Sequence, residues 1–471
     1  MKLLLREKLA YGCGDFASCI YWKTFSAFLP IFYTDVFGIP AAAVGTLILF
    51  SRIFDGINDP VMGMLADRTR TRWGKFRPYL LWMCVPFALV GVLTFTTPDL
   101  PVAGKILWAW VTYNLIMVLY TAINIPYTAL LGVITPDPIE RTSVSSIKFV
   151  FAFSGGLFTA ATLLPMTRWL GGADSARGWQ LAFVVYGLAF VVFFLIAFGG
   201  TRERVQPPAA QRTSIRSDLR DLFANGPWLI LFGTTIMFTL FVSVRLSATA
   251  HYFKYFVGTQ VVTLPFSGGP RPYGFTTLVS AFMVVGQAAS VLGVLLMPWF
   301  VRWVGGKKRA FILCFLGTSL STAAYAVLPP DAVPAIFALQ FVCTITGGPL
   351  AALLWTMYAD AADYGEWKYG RRSTGLVFSA STMSQKAGWA VGGFAIAQML
   401  ALTGFVPNRE QSFDVQHGLV MLMSLIPVGF GALSILTMCF YPLDEIRMAG
   451  IEAELKARRD ALMVAGAEQP S

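Results

Sequence analysis

Read for its apolar pattern alone, the chain is a succession of long hydrophobic runs parted by short polar ones. A run of about 20 apolar residues is long enough to cross the hydrocarbon core of a bilayer as a helix. Such runs fall near 9–37, 41–66, 78–97, 104–134, 142–168, 178–200, 227–257, 274–302, 308–329, 333–358, 373–404 and 417–442. The pattern predicts about twelve membrane-spanning helices with some tilt, an all-α polytopic membrane protein.

One polar stretch is longer than the rest. Residues 201–226 are charged and broken by Pro207 and Pro208, which divides the expected helices six and six. The expected organisation is a six-helix bundle at 1–200, a cytoplasmic loop at 201–226, a second bundle at 227–443 and a cytoplasmic tail at 444–471. The tail has the spacing of a surface helix that frays into a disordered end. Weak repetition supports the division: the second inner loop of each half is basic and contains glycine (67–78 and 302–311). Two matched bundles with a site between them is a transporter layout.

Composition agrees with this and removes other classes. A chain of 471 residues that is 56% hydrophobic and 13% charged is too apolar for a soluble enzyme of its size. The net charge of +11 does not indicate nucleic acid, because the basic residues sit in short segments between apolar runs. Lys2, Arg6, Lys8, Arg68, Arg70, Arg72, Lys75, Arg77, Arg202 and Arg204 recur on one side, followed by Lys307, Lys308 and Arg309. The positive-inside rule then expects both termini in the cytoplasm of a bacterial-type inner membrane, with the first span retained rather than cleaved. The six cysteines include no CxxC pair and the chain has two histidines, so neither a disulfide framework nor a zinc site is expected. No phosphate-binding loop, HExxH, GxSxG or dinucleotide fingerprint occurs. The chain is not expected to be an enzyme, and transport must run downhill or on an ion gradient. A membrane potential supplies about 2.3 kcal/mol per elementary charge per 100 mV, so one coupled cation suffices.

The candidate chemistry lies inside the apolar runs. Arg52, Asp55, Asn58 and Asp59 fall in the second, where a charge at mid-bilayer costs about 2.5–3.5 kcal/mol even on lenient scales. Spacings of three and four put Arg52, Asp55 and Asp59 on one helical face, which must look into protein or a wet cavity. Two carboxylates with a carboxamide offer oxygen ligands to a hard cation, sodium or a proton, with lithium also conceivable. The structural alternative is a buried ion pair of Arg52 with Asp55 or Asp59. Asp15 is a further carboxylate nearer the inner surface, and Thr121 and Asn124 precede Pro126 in the fourth run. For substrate, Trp22, Lys23, Lys148, Thr382 and Lys386 supply an aromatic face and polar groups at similar depth, as a sugar needs. Trp22 reads equally as bundle packing, and Lys23 or Lys386 as ion partners of Asp55, Asp59 or Asp15. Arg245, with His251 and Lys254 beyond it, reads as a snorkelling surface arginine.

The segments YGCGDFAS (11–18), FYTDVFG (32–38), RIFDGINDP (52–60), RTRWGKFRPY (70–79), DYGEWKYGRR (363–372) and SQKAG (384–388) resemble those of the glycoside–pentoside–hexuronide:cation symporters. The resemblance runs from about Tyr11 to Glu445. It implies a major facilitator fold working by alternating access, with the cation held by Asp55, Asn58, Asp59 and Thr121. It likewise implies substrate contacts at Thr382 and Lys386. In the melibiose-permease branch of the family a first-helix aspartate falls on Cys19, a fourth-helix aspartate on Asn124 and a tryptophan on Thr128. A basic residue there matches Lys148 with a one-residue offset. These departures argue against an α-galactoside and, with Lys23, make an anionic glycoside conceivable.

The expectation is therefore a cation-coupled sugar or glycoside symporter, working as a monomer in contact with membrane lipid and binding no nucleic acid. The alternatives are a lysolipid or amphiphile transporter on the same scaffold and a membrane sensor that does not transport. An inner gate is expected where the basic loop at 67–78 meets acidic helix ends of the other bundle. Asp363, Glu366 and Arg372 are its candidate counterparts, and Asp15, Arg52 and Arg141 join Asp363 and Arg372 as candidate gating or coupling residues.

Overall fold

In the computed structural model the apolar runs become helices, described for residues 3–135, 138–204, 220, 222–262, 269–369, 374–451, 453–455 and 457. We number them α1 (Leu5–Ala27), α2 (Ala41–Arg68), α3 (Arg77–Thr94), α4 (Val102–Val133), α5 (Pro138–Gly171) and α6 (Ser175–Gly200). The second set is α7 (Gly226–Tyr252), α8 (Phe275–Val304), α9 (Lys307–Ala323), α10 (Val333–Tyr369), α11 (Thr374–Leu402) and α12 (Phe413–Cys439, bent at Ser424). Among the described residues, nine helices are long and apolar enough to cross a membrane. The others, α1, α2 and α11, have 23, 28 and 29 residues. At a rise of about 1.5 Å per residue each spans the core, and each is less apolar because it carries the polar residues singled out above.

The helices pair in a repeating scheme. In the first bundle α1 packs on α5 and α6, α3 on α4 and α6, and α2 on α4. Each pairing recurs six helices later: α7 on α11 and α12, α9 on α10 and α12, and α8 on α10. The bundles meet along two matching seams, α2 with α11 and α5 with α8, and along α1 with α7. Glycine lets these contacts close. A Cβ on Gly155 would meet the Phe16 carbonyl at 2.5 Å, and one on Gly293 the Ile345 carbonyl at 2.0 Å.

At the end of the molecule away from its basic loops, α1 and α7 finish alike. Phe32–Phe37 and Phe253–Val257 are π-helical turns, each stopped by a glycine with positive φ, Gly38 at 81° and Gly258 at 70°. A π turn adds a residue to the helical circuit and re-aims side chains, often at functional positions. A two-stranded hairpin follows α7, β1 (Gln260–Val262) against β2 (Arg271–Tyr273). It lies between apolar runs and its three-residue strands leave no readable alternation.

At the basic end α10 runs eleven residues past the predicted 358, to Tyr369. The extension is polar, so hydropathy does not register it. Here each bundle clamps its own loop. Glu203, just beyond α6, accepts the backbone N–H groups of Lys75, Phe76 and Arg77, beside Gly74 at φ 111°. Glu445, just beyond α12, accepts the N–H of Lys307 at 3.0 Å, beside Gly306 at φ 136°.

Candidate functional site

The polar face of α2 comes to rest on the seam with α11, near the middle of both helices. Thr121 of α4 donates its hydroxyl between two acids, 2.8 Å from Asp55 Oδ1 and 3.2 Å from Asp59 Oδ1. From the other bundle Lys386 reaches the remaining oxygens: its Nζ lies 3.2 Å from Asp55 Oδ2 and is hydrogen-bonded to Asp59 Oδ2. Asp55 is buried, whereas the Asp59 and Lys386 side chains are 22% and 23% exposed. Two carboxylates thus share one ammonium at a point reachable by solvent. Asn58, half-buried on the same helix, makes no side-chain hydrogen bond among the described residues, so its carboxamide is free to turn toward an ion held there.

The alternative of an Arg52 ion pair is not what forms, because the acids are met by Lys386, one of the partners the sequence offered. Arg52 is buried with Nε and Nη1 unpartnered, and its guanidinium lies over the Trp22 ring, 4.3 Å from the centroid. Trp22 in turn stacks on Tyr120 and stands edge-on to Trp389 of α11, each 6.0 Å away. The result is an aromatic and cationic wall beside the carboxylate cluster, built from both bundles. Tyr120 and Trp389 were not among the sequence candidates. Their signal was helical register: Trp389 is three residues from Lys386 and Tyr120 adjoins Thr121.

The remaining candidates distribute around this wall. Asp15 does not join the carboxylate pair but faces Lys148 of α5 at 3.8 Å, with the Lys148 Nζ 5.8 Å from the Tyr127 ring centroid. Lys23, half-buried one residue from Trp22, has no acidic partner among the described residues, so it is not the ion partner that the sequence left open. Cys19 is half-buried against α5, where a Cβ on Gly155 would approach its Cβ to 3.2 Å. Asn124 is half-buried three residues past Thr121, while Thr128 and Thr382 have exposed side chains.

From this cluster the bundles remain in contact toward the end opposite the basic loops. A Cβ on Gly45 would lie 2.7 Å from Ala397 Cβ, and one on Gly393 2.8 Å from Ile48. Ser247 donates to the Ser26 carbonyl at 3.1 Å. The π turns complete the closure: Asp35 pairs with Lys254 at 2.5 Å and accepts from Tyr255, and Thr34 meets His251 Nε2 at 3.2 Å. Asn408, from the loop before α12, ties Lys254 to the Asp35 carbonyl. This latch between matching helix ends was not recognised from sequence, although Asp35 and Lys254 each stood at the end of an apolar run.

At the basic end the backbone amides of the loop at 67–78 are bound by Glu203 of the same bundle. Three ion pairs at that end join elements of one bundle: Glu7 with Arg204 at 2.6 Å, Lys8 with Glu140 at 2.8 Å, and Lys307 with Asp360 at 2.7 Å. Asp363 and Glu366 lie on the extension of α10, both half-buried and both engaged. The side chain of Arg141, and Arg372 altogether, lie outside the described residues.

Comparison with known proteins places this geometry in context. A family model described as MFS/sugar transport protein matches residues 10–445. The chain is 36% identical over 428 residues to the inner membrane symporter YicJ of Escherichia coli K12, covering 90% of this chain and 89% of that one. It is 35% identical over 447 residues to the isoprimeverose transporter of Lactiplantibacillus pentosus, covering 93% and 89%. The crystal structure of a bacterial homologue of the human lysosomal transporter Spinster superposes with a TM-score of 0.64 at 15% identity, covering 93% of this chain and 95% of that one. At that identity the likeness speaks for the fold alone.

Proposed function

The chain belongs to the MFS/sugar transport protein family, an integral membrane transporter and not an enzyme, and on that premise we propose how it couples a cation to a sugar or glycoside. The single observation that carries the reading is the Asp55, Asp59, Thr121 and Lys386 cluster astride the α2–α11 seam. A monovalent cation, sodium or a proton, takes the place of the ammonium between the carboxylates. Asn58 turns in as a further oxygen ligand when the ion is sodium or lithium. Lys386 is then released toward the Trp22, Tyr120 and Trp389 wall, where a sugar ring stacks its CH face on an indole and meets polar groups at its hydroxyls. Ion and sugar therefore favour each other's binding by equal factors, as linkage requires. The closed latch at Asp35 and Lys254 and the contacts from Gly45 to Ala397 describe a carrier shut at one end. By the positive-inside rule that end faces outward, with the basic loops and both termini in the cytoplasm.

The test is reconstituted uptake over a panel of glycosides with sodium and pH gradients imposed separately. One cation should drive accumulation. Asp59→Cys should abolish accumulation while sparing exchange of sugar across the membrane. Full gradient-driven accumulation by that variant would remove the cluster from the coupling mechanism.

A further inference from the structure

Arg245, expected to snorkel to the surface, is buried in the second bundle, where its Nη2 donates to Gln340 Oε1 at 2.8 Å. Arg168 does reach the surface, from the last turn of α5 at the latch end of the molecule. It has no hydrogen-bond or ion-pair partner among the described residues. Its Nη1 lies beside the start of α8, 3.4 Å from where a Cβ on Gly274 would stand, so the glycine keeps room next to the guanidinium. The apolar span of α5 covers 29 residues, Ser143–Gly171, about 43 Å at 1.5 Å per residue. That exceeds a hydrocarbon core of about 30 Å, which leaves the last turn among lipid headgroups. Trp169, the next residue, is 82% exposed, the place and exposure of an interfacial anchor.

Arg168 lines a cavity of about 380 Å³ where the α5–α8 seam ends on the latch side. The first bundle supplies Arg168, Asp35 and Ser175 to its wall, and the second supplies Lys254 and Thr276. Two of these groups are cations and one is an acid. The acid is already covered: Asp35 Oδ1 accepts from Thr34, and Oδ2 accepts from Lys254 and Tyr255. Lys254, 21% exposed, also donates to Asn408, and an ammonium has a third donor to give. One positive charge in the cavity is therefore left without a counter-charge, with free donors on both bundles.

We propose that this cavity holds the phosphate of an anionic phospholipid from the latch-side leaflet, between Arg168 of the first bundle and Lys254 of the second. Basic pockets between transmembrane helices take lipid headgroups, and a guanidinium meets a phosphate through paired charge-assisted hydrogen bonds. The space is that of about a dozen waters at 30 Å³ each, enough for a phosphoglycerol. A headgroup with one net negative charge cancels the surplus, whereas a choline headgroup brings its own cation and leaves the surplus standing. Leu157 and Phe158, about three turns further into the membrane on α5, are exposed and give the acyl chains an apolar surface. A lipid so held joins the two bundles beside the latch, on the flank away from the carboxylate cluster. The inference is independent of which sugar or cation is carried.

The purified full chain in detergent is titrated with phosphatidylglycerol, with phosphatidylcholine of the same acyl chains and with inorganic phosphate, and retained ligand is counted by native mass spectrometry. One phosphatidylglycerol should be retained at least about fivefold more strongly than phosphatidylcholine, and it should raise the unfolding temperature. Arg168→Gln removes a side chain that nothing in the protein holds, so the variant should fold and should retain the two lipids equally. Thr276→Asp, which puts an acid on the facing wall, should also erase the preference. Arg177→Gln, at an exposed arginine of the same end that does not line the cavity, should leave the preference intact. Equal retention of the two lipids by the native chain overturns the proposal. So does a preference that survives both cavity variants or falls as far in Arg177→Gln, and so does retention of inorganic phosphate with no preference between the lipids.

Discussion

At Lys386 an ammonium stands between two carboxylates that a mobile cation would also occupy. In the proposed coupling the two compete directly, so removing the ammonium should favour the ion. Lys386→Gln is expected to tighten binding of the coupling cation about tenfold, roughly 1.4 kcal/mol, read as cation-induced protection in thermal unfolding, while losing sugar-stimulated uptake. Unchanged cation affinity would mean that the lysine is a mere strut. The acids themselves were legible, because three charges within two turns of an apolar run have few explanations. Their partner was not: sequence left Lys23, Lys386 and Arg52 open, and only the pairing of α2 with α11 selects Lys386. Trp389 and Tyr120 stayed hidden because an aromatic residue in an apolar run has no pattern that separates a wall of a site from a core.

Along single elements, hydropathy located the helices closely and failed where a helix is polar. It placed α2 and α11 by length even though their charges lower their apolarity, and it stopped α10 short because the extension to Tyr369 leaves the hydrocarbon. It could not register the π turns, whose extra residue changes aim and not composition. Nor could it weigh glycine. Gly293 packs against the Ile345 carbonyl at a distance no Cβ tolerates, whereas Gly233 of α7 has nothing within 4 Å. Gly293→Ala should therefore force α8 from α10 and cost about 1–3 kcal/mol. Gly233→Ala should be neutral or stabilising by up to about 1 kcal/mol. Thermal unfolding of the two variants in one detergent compares them, and equal stabilities would refute close packing at this crossing.

For the whole molecule, the repeated pairings and the twin clamps at Glu203 and Glu445 brace each bundle internally, so in the proposed alternating access each is expected to move as a unit. On that reading what changes between states is the contact between bundles, which extends here from the carboxylate cluster to the latch at Asp35. Cysteines at Gly45 and Ala397, in a chain with its six native cysteines replaced, should cross-link on mild oxidation and stop uptake, and reduction should restore it. Full uptake after complete cross-linking would show that this seam need not part. The division into halves was visible from the break at 201–226, but the latch was not, because its members are separated by more than two hundred residues and meet only when the halves do.

The cross-bundle position of Lys386 bears on a hazard that every gradient-driven carrier faces, an idle short-circuit in which ions pass without cargo. In the proposed coupling, the ammonium neutralises one acid when the ion is absent, so the empty protein would be able to reset. With the ion alone, the displaced ammonium would be left stranded in a low-dielectric space, and turning over in that condition would be penalised until a sugar arrived to receive it. One tethered positive charge, kept by the opposite bundle, would thus suppress futile leakage without any separate valve.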